Sequence, residues 1–139
     1  MADTITLILQ GKPVPRRDHS GTGKHSYDPQ AKLKNDLRFL LRAQYHDKPI
    51  NQMVRVDTYL YFPIPKFKLA KFNRNPEFFK YYAHRPDRDN CDKIYNDVLQ
   101  PYILKDDCLI VDGTIKKLYS EQPRVEYHIT ILGDIYGIL

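Results

Sequence analysis

Residues 53–62, MVRVDTYLYF, alternate apolar and polar side chains, are rich in β-branched and aromatic residues, and stop at Pro63 and Pro65. That pattern demands an extended strand with one face turned to a core. The rest of the chain must supply what packs on that face. Residues 4–11, TITLILQG, are also β-rich and run into Lys12-Pro13-Val14-Pro15, which predicts a first strand closed by a turn. Residues 108–120 and 124–132 read as two further strands separated by the turn SEQP. Helical spacing appears twice. Leu33, Leu37, Leu40 and Leu41 recur on one face after Asp28-Pro29, predicting a helix over 29–46 with Asp28 as cap and Pro29 at its first position. A second helix is predicted over 89–100, with Asp89 as N-cap candidate and Pro101 beyond its end. These elements give an α+β fold: a single small domain over 1–139, with a mixed, largely antiparallel sheet of about four strands and two main helices. The expected order is near βαβαββ.

The chain has 139 residues, 42% of them hydrophobic, enough for one core without disulfide or metal staples. Cys91 and Cys108 form no paired motif, so both are expected as free buried thiols in a reducing cytosol. The longest apolar runs fall far below the roughly 20 residues of a membrane span. The start, MADTITLILQG, lacks a basic leader and a cleavage site, so a soluble, cytoplasmic protein with no membrane partner is expected. The 22 Lys and Arg against 17 Asp and Glu leave a formal charge of +5, which favours a polyanionic partner. Residues 16–29 read as a loop. Its GTGK fails the phosphate-loop spacing, because Asp18 stands where the first glycine belongs and His25 follows Lys24.

Residues 64–85 interleave Lys66, Lys68, Lys71, Arg74, Lys80 and Arg85 with Phe67, Phe72, Phe78, Phe79, Tyr81 and Tyr82. Nucleic-acid surfaces combine cations for phosphates with rings that stack on bases, but a core with a solvated basic rim has the same composition. The tail 133–139 is apolar and suited to packing on the body or on another chain.

Chemistry concentrates between residues 84 and 112. On the second helix Cys91, Ile94, Tyr95 and Val98 share an apolar face, opposite Asp89, Lys93, Asp97 and Gln100. Asp87 precedes Asp89 in a stretch held extended next to Pro86, so the two carboxylates project to one side. Asp106 and Asp107 stand at the mouth of the next strand, within reach of that helix start. Crowded carboxylates repel unless a cation lies between them, and magnesium prefers such hard oxygen donors. Lys93 is placed to neutralise charge developing on a phosphate. Each residue also has an ordinary explanation: Asp89 as a cap, Asp92 and Asp97 as solvated charges, Lys93 as an intrahelical ion partner, and Asp106-Asp107 as a turn.

The segment HRPDRDNCDKIYNDVLQPYILKDDCLIVD (84–112) resembles the signature of the RusA family of Holliday junction resolvases. That signature is PDxDNxxKxxxDxL, then a short gap, then DD and an apolar strand. An early strand and Tyr27-Asp28-Pro29 before the first helix fit the same layout, so the likeness covers residues 4–132. It implies a magnesium-dependent endonuclease, with Mn²⁺ able to substitute, acting as a homodimer on four-way branched DNA in recombination and repair. By position it gives Asp87, Asp89 and Asp107 as metal ligands and these with Lys93 as the catalytic set. Asn90 and Asp106 would support them from behind. Arg85, Arg88, Lys116 and Lys117 are the best DNA contacts, with Lys12, Arg16 and Arg17 weaker ones. Two alternatives remain: a metal nuclease for other branched DNA, and a basic DNA-binding module whose acidic residues are structural.

Overall fold

The structure, a computed structural model, describes residues 3–18, 21, 23, 26–77 and 80–134. Thr22, Lys24 and His25 of the glycine-containing loop, Phe78 and Phe79, and the apolar tail after Asp134 lie outside the described residues. The elements are β1 (Thr4–Gln10), α1 (Ala31–Arg42), β2 (Met53–Pro63), α2 (Leu69–Arg74), α3 (Arg88–Asp97), β3 (Ile110–Asp112), β4 (Ile115–Ser120) and β5 (Arg124–Gly133). The α+β expectation holds, with a mixed sheet of five strands in place of about four. β5 runs antiparallel to both β1 and β2 in the centre, and β3 and β4 follow one another along the far side of β2, both parallel to it.

The alternation that predicted β2 is visible in its burial. Val54, Val56, Thr58, Leu60 and Phe62 are buried, while the intervening residues face the other side. Leu7 and Leu9 of β1 and Val125, Tyr127 and Ile129 of β5 complete the buried sheet face. Against it pack Leu41 of α1, Cys91, Ile94 and Tyr95 of α3, and Val98, Leu99, Ile103 and Leu104 just after α3. The apolar face assigned to α3 is therefore the one that docks. Two phenols inside this core are satisfied: Tyr127 Oη donates to the Tyr95 carbonyl at 2.8 Å, and Tyr95 Oη accepts from Val14 N at 2.9 Å. Burial pushes the Tyr95 phenol up to about 12 and the Cys91 thiol to about 11. Cys91 is buried as expected, but Cys108 is exposed, because it sits in the turn that opens β3 and not in a strand.

Three boundaries differ from the sequence reading for identifiable reasons. α1 starts at Ala31 because Asp28 does not cap it; its carboxylate instead accepts from Gln30 N and from Lys34 Nζ. α3 starts at Arg88, with Asp87 and not Asp89 in the N-cap position. The run 108–120 is not one strand: a tight turn at Asp107–Leu109 and a break at Gly113-Thr114 divide it. Gly113 has φ +147°, and a Cβ there would lie 1.9 Å from the Val56 carbonyl oxygen, so only glycine allows β3 to bend into β4 against β2. Asp57 fixes the bend by accepting from Thr114 N at 3.0 Å and Thr114 Oγ1 at 2.8 Å, while Arg55 ties Asp57 to Asp112.

The basic and aromatic segment divides between the two roles that its composition left open. Tyr82 stacks on Phe62 at 4.0 Å and belongs to the body, whereas Phe67 and Tyr81 are exposed. On the outer side of β1, the Gln44 amide accepts from Ile8 N at 2.8 Å and donates to Ile8 O at 2.6 Å, in the manner of a paired peptide.

Candidate active site

The short stretch before α3 is pinned from below. Lys117 of β4 lies on the helix side of the sheet, and its ammonium donates to the carbonyls of His84 and Pro86. Asp87 then turns into α3 with extended backbone, and its side chain makes no capping hydrogen bond, so its carboxylate is not consumed by the helix end. Asp89 stands exposed in the first turn, and Lys93 follows one turn later on the exposed side.

The second limb comes from the turn before β3. The Asp106 carboxylate accepts from Cys108 N at 2.9 Å, and that hydrogen bond holds it below the usual carboxylate range. Asp107 N donates to Gln100 Oε1 at 3.2 Å, which fixes the backbone without using the Asp107 carboxylate. Partial desolvation, helped by the charge of Asp106, raises the Asp107 carboxyl above its ordinary value. Asp106 thus shapes the turn and perturbs its neighbour, in keeping with a supporting position.

Two adjoining cavities meet at Asp107. One of about 340 Å³ lies between α3 and the β3–β4 bend, walled by Asp92, Asn96, Asp107 and Thr114. A larger one of about 570 Å³ is lined by Lys93, Asp92, Asp97 and Asp107, with Arg16 and Lys34 opposite. A third, of about 550 Å³, lies on the other side of the α3 start and brings Asp87 and Asn90 beside Lys12, Arg16 and Arg85. The structure thus groups Lys93 with Asp107, and Asp87 with Asn90 and Arg85. Asp89 lies on the first turn of α3 and lines none of these three cavities. Among the described residues, no three His, Cys, Asp or Glu side chains come close enough together to hold a metal ion.

Asp92 had an ordinary explanation as a solvated helix charge, yet it is half-buried between the two limbs. Desolvation raises its carboxyl, reinforced by the charge of Asp89 and opposed by Asn96 and Arg88. Its position three residues after Asp89, on the same side of a helix, was the signal that could have found it. Asp97 lines the larger cavity but is taken up by cations: it pairs with Lys34 at 3.1 Å and Arg38 at 3.6 Å, and Lys34 also holds Asp28 at 2.7 Å. That node ties the segment before α1 to α3. Lys116 lies over Tyr59 on the opposite face of the sheet, while Arg88 donates to the Ile115 carbonyl at 3.4 Å.

The donors around Asp107 and the α3 start are carboxylate and amide oxygens, the set that suits a hard divalent cation. Compared with known proteins, the chain matches the family model described as endodeoxyribonuclease RusA over residues 10–130. The chain belongs to the RusA family. The match spans both limbs of the site and the β1–α1 loop. A RusA-family nuclease is thus built here on one sheet with α3 as its organising helix. The chain is also similar to a Bacillus subtilis (strain 168) protein named "Uncharacterized protein YqaN", with 33% identity over 134 residues, covering 89% of this chain and 94% of that protein. Among the described residues, no helix is long and apolar enough to cross a membrane.

Proposed function

We propose that this RusA-family chain is a magnesium-dependent endonuclease that resolves Holliday junctions by paired symmetric nicks, acting as a homodimer in DNA recombination and repair. The observation that supports the reading is the approach of the family signature's two halves, α3 through Asp92, Lys93 and Asn96 and the turn at Asp107, around adjoining polar cavities. Asp87, Asp89 and Asp107 would hold the metal, with the oxygens of Asp92 and Asn96 close by. Bound there, magnesium would polarise a phosphodiester and lower the pKa of an attacking water. Lys93 opposes the negative charge that develops on the phosphate, from an exposed position in the same cavity as Asp107. Arg85 and Arg88 meet neighbouring phosphates at the mouth. Gln100 and Lys117 hold the two limbs at their backbones. A junction has near two-fold symmetry, and two symmetric nicks require one site from each of two copies.

Cleavage of an end-labelled synthetic four-way junction beside linear duplex of matched sequence, with magnesium or EDTA, tests this. Paired nicks confined to the junction, lost in EDTA and in Asp107→Asn, are expected. Cutting of both substrates leaves a metal nuclease of wider range. Tight binding without cutting selects the DNA-binding module, the alternative favoured by the separation of the carboxylates.

A further inference from the structure

The segment between β1 and α1 is basic, and four hydrogen bonds hold the backbone of its first half, two to α3 and two to Gln30 at the start of α1. Val14 N donates to Tyr95 Oη at 2.9 Å, and Arg16 N donates to the Asn90 carbonyl at 2.8 Å. Buried Gln30 donates to the Pro15 carbonyl at 2.9 Å and accepts from Arg17 N at 2.7 Å. Two of these anchors, Asn90 and Tyr95, are residues of α3 itself, the helix that carries Asp89 and Lys93. The arm is therefore a rigid extension of the candidate site.

Its consequence falls on one side chain. Arg16 lines both the cavity that holds Asp107 and Lys93 and the cavity that holds Asp87 and Arg85, so it spans the two sides of the α3 start. Three other cations near the site are already engaged, whereas Lys12, Arg85 and Lys93, like Arg16, make no ion pair among the described residues. Lys34 is held by two carboxylates, Arg38 by Asp97 and the Gln100 carbonyl, and Lys117 by two carbonyls. Among the described residues Arg16 makes no ion pair, and a guanidinium on fixed backbone loses little entropy on meeting a phosphate.

We infer that Arg16 is a phosphate clamp for the DNA strand that crosses the candidate site, with its reach set by the stapled arm. This rests on the proposed function for the identity of the strand, but its test does not require cleavage. Arg16 is exposed at the surface, so its substitution leaves the fold intact.

The experiment measures affinity of the full chain for a synthetic four-way junction in EDTA over a range of sodium chloride concentrations. Removing one cation that neutralises a phosphate should reduce the slope of log affinity against log salt by about 0.9. Arg16→Ala is expected to show that reduction and Arg16→Lys to retain the wild-type slope. Lys48→Ala, an exposed cation away from the site, should keep it as well. A wild-type slope in Arg16→Ala overturns the inference. So does an equal drop in Lys48→Ala, which would mean diffuse attraction by the basic surface. If the wild type binds the junction but never cuts it with magnesium, the proposed function fails, while the slopes still decide the role of Arg16.

Discussion

Replacing Lys117 with Met separates a residue that positions the site from one that grips DNA, two roles that a basic side chain near a nuclease centre can equally suggest. The ammonium makes two charge-assisted hydrogen bonds, to the carbonyls of His84 and Pro86. Such bonds contribute about 1.5–3 kcal/mol each when shielded. His84 is exposed and its carbonyl is readily rehydrated, so only the part-buried hydrogen bond to Pro86 keeps nearly its full value. Lys117→Met should therefore lose about 2 kcal/mol of stability. For a chain of this length that corresponds to a fall in Tm of about 8 °C. The functional effect should be larger. Releasing the stretch before Asp87 allows a displacement on the order of 1 Å, which can cost about 100-fold in rate. Single-turnover cleavage of a saturating junction substrate should slow by about that factor, with affinity and salt slope close to wild type. Lys117→Arg, which keeps the charge and donors, should recover part of the rate. If Lys117→Met instead lowered the salt slope by about 0.9 with an unchanged single-turnover rate, Lys117 would be a phosphate contact and the positioning argument refuted.

Asp107→Asn should abolish junction cleavage while leaving binding intact or tighter, since less negative charge faces phosphate; loss of both would point to a damaged fold. In metal-free buffer the same variant should be more stable at neutral pH. The folded Asp107 carboxyl lies above its ordinary value, so its ionised form destabilises the native state. That penalty is complete above the folded pKa and disappears as pH falls toward the ordinary aspartate range. The Tm gain should shrink over the same interval, and a gain independent of pH would exclude charge as its cause. Lys93→Ala should lower the single-turnover rate by about 10- to 1000-fold with little change in affinity, and an intact rate with weakened binding would remove its catalytic role. Gly113→Ala should lose more than about 3 kcal/mol in chemical denaturation, because it combines an unfavourable φ with a Cβ set against the Val56 carbonyl; a loss under about 1 kcal/mol would contradict the packing described.

What the sequence disclosed depended on how local each determinant was. The period of two in 53–62 and the helical spacing of Cys91, Ile94, Tyr95 and Val98 describe one-sided burial, and the fold repeats both. Leu40 shows the limit of the same reasoning. It fits the α1 repeat by spacing, yet it is 52% exposed, while Leu41 beside it is fully buried. The break at Gly113 was hidden because β-rich residues flank it on both sides and its cause, the Val56 carbonyl, lies far away in the chain. Lys116 and Lys117 look equivalent as a doublet, but strand alternation sends one over Tyr59 on the outer face and the other to the carbonyls before α3. The signature located the chemistry, but whether neighbouring aspartates point inward, pair with Lys34, or cap a turn is decided by tertiary partners.

The Gln44 contact with Ile8 bears on how two copies of this chain could meet. A bare strand edge offers its peptide groups to any passing strand, and joining there would give a continuous ribbon with a repeat fixed by backbone spacing. Near its midpoint, the β1 edge is already occupied by a side chain of the same molecule. The opposite margin is engaged as well: Tyr82 N donates to the Lys117 carbonyl and Tyr119 N to the Lys80 carbonyl, both at 3.0 Å. In the proposed homodimer, these contacts on both rims favour meeting through side chains on faces and loops over strand pairing. The distance between two cutting centres is then a matter of surface shape, adjustable one residue at a time, and not of peptide register, which shifts only in whole steps.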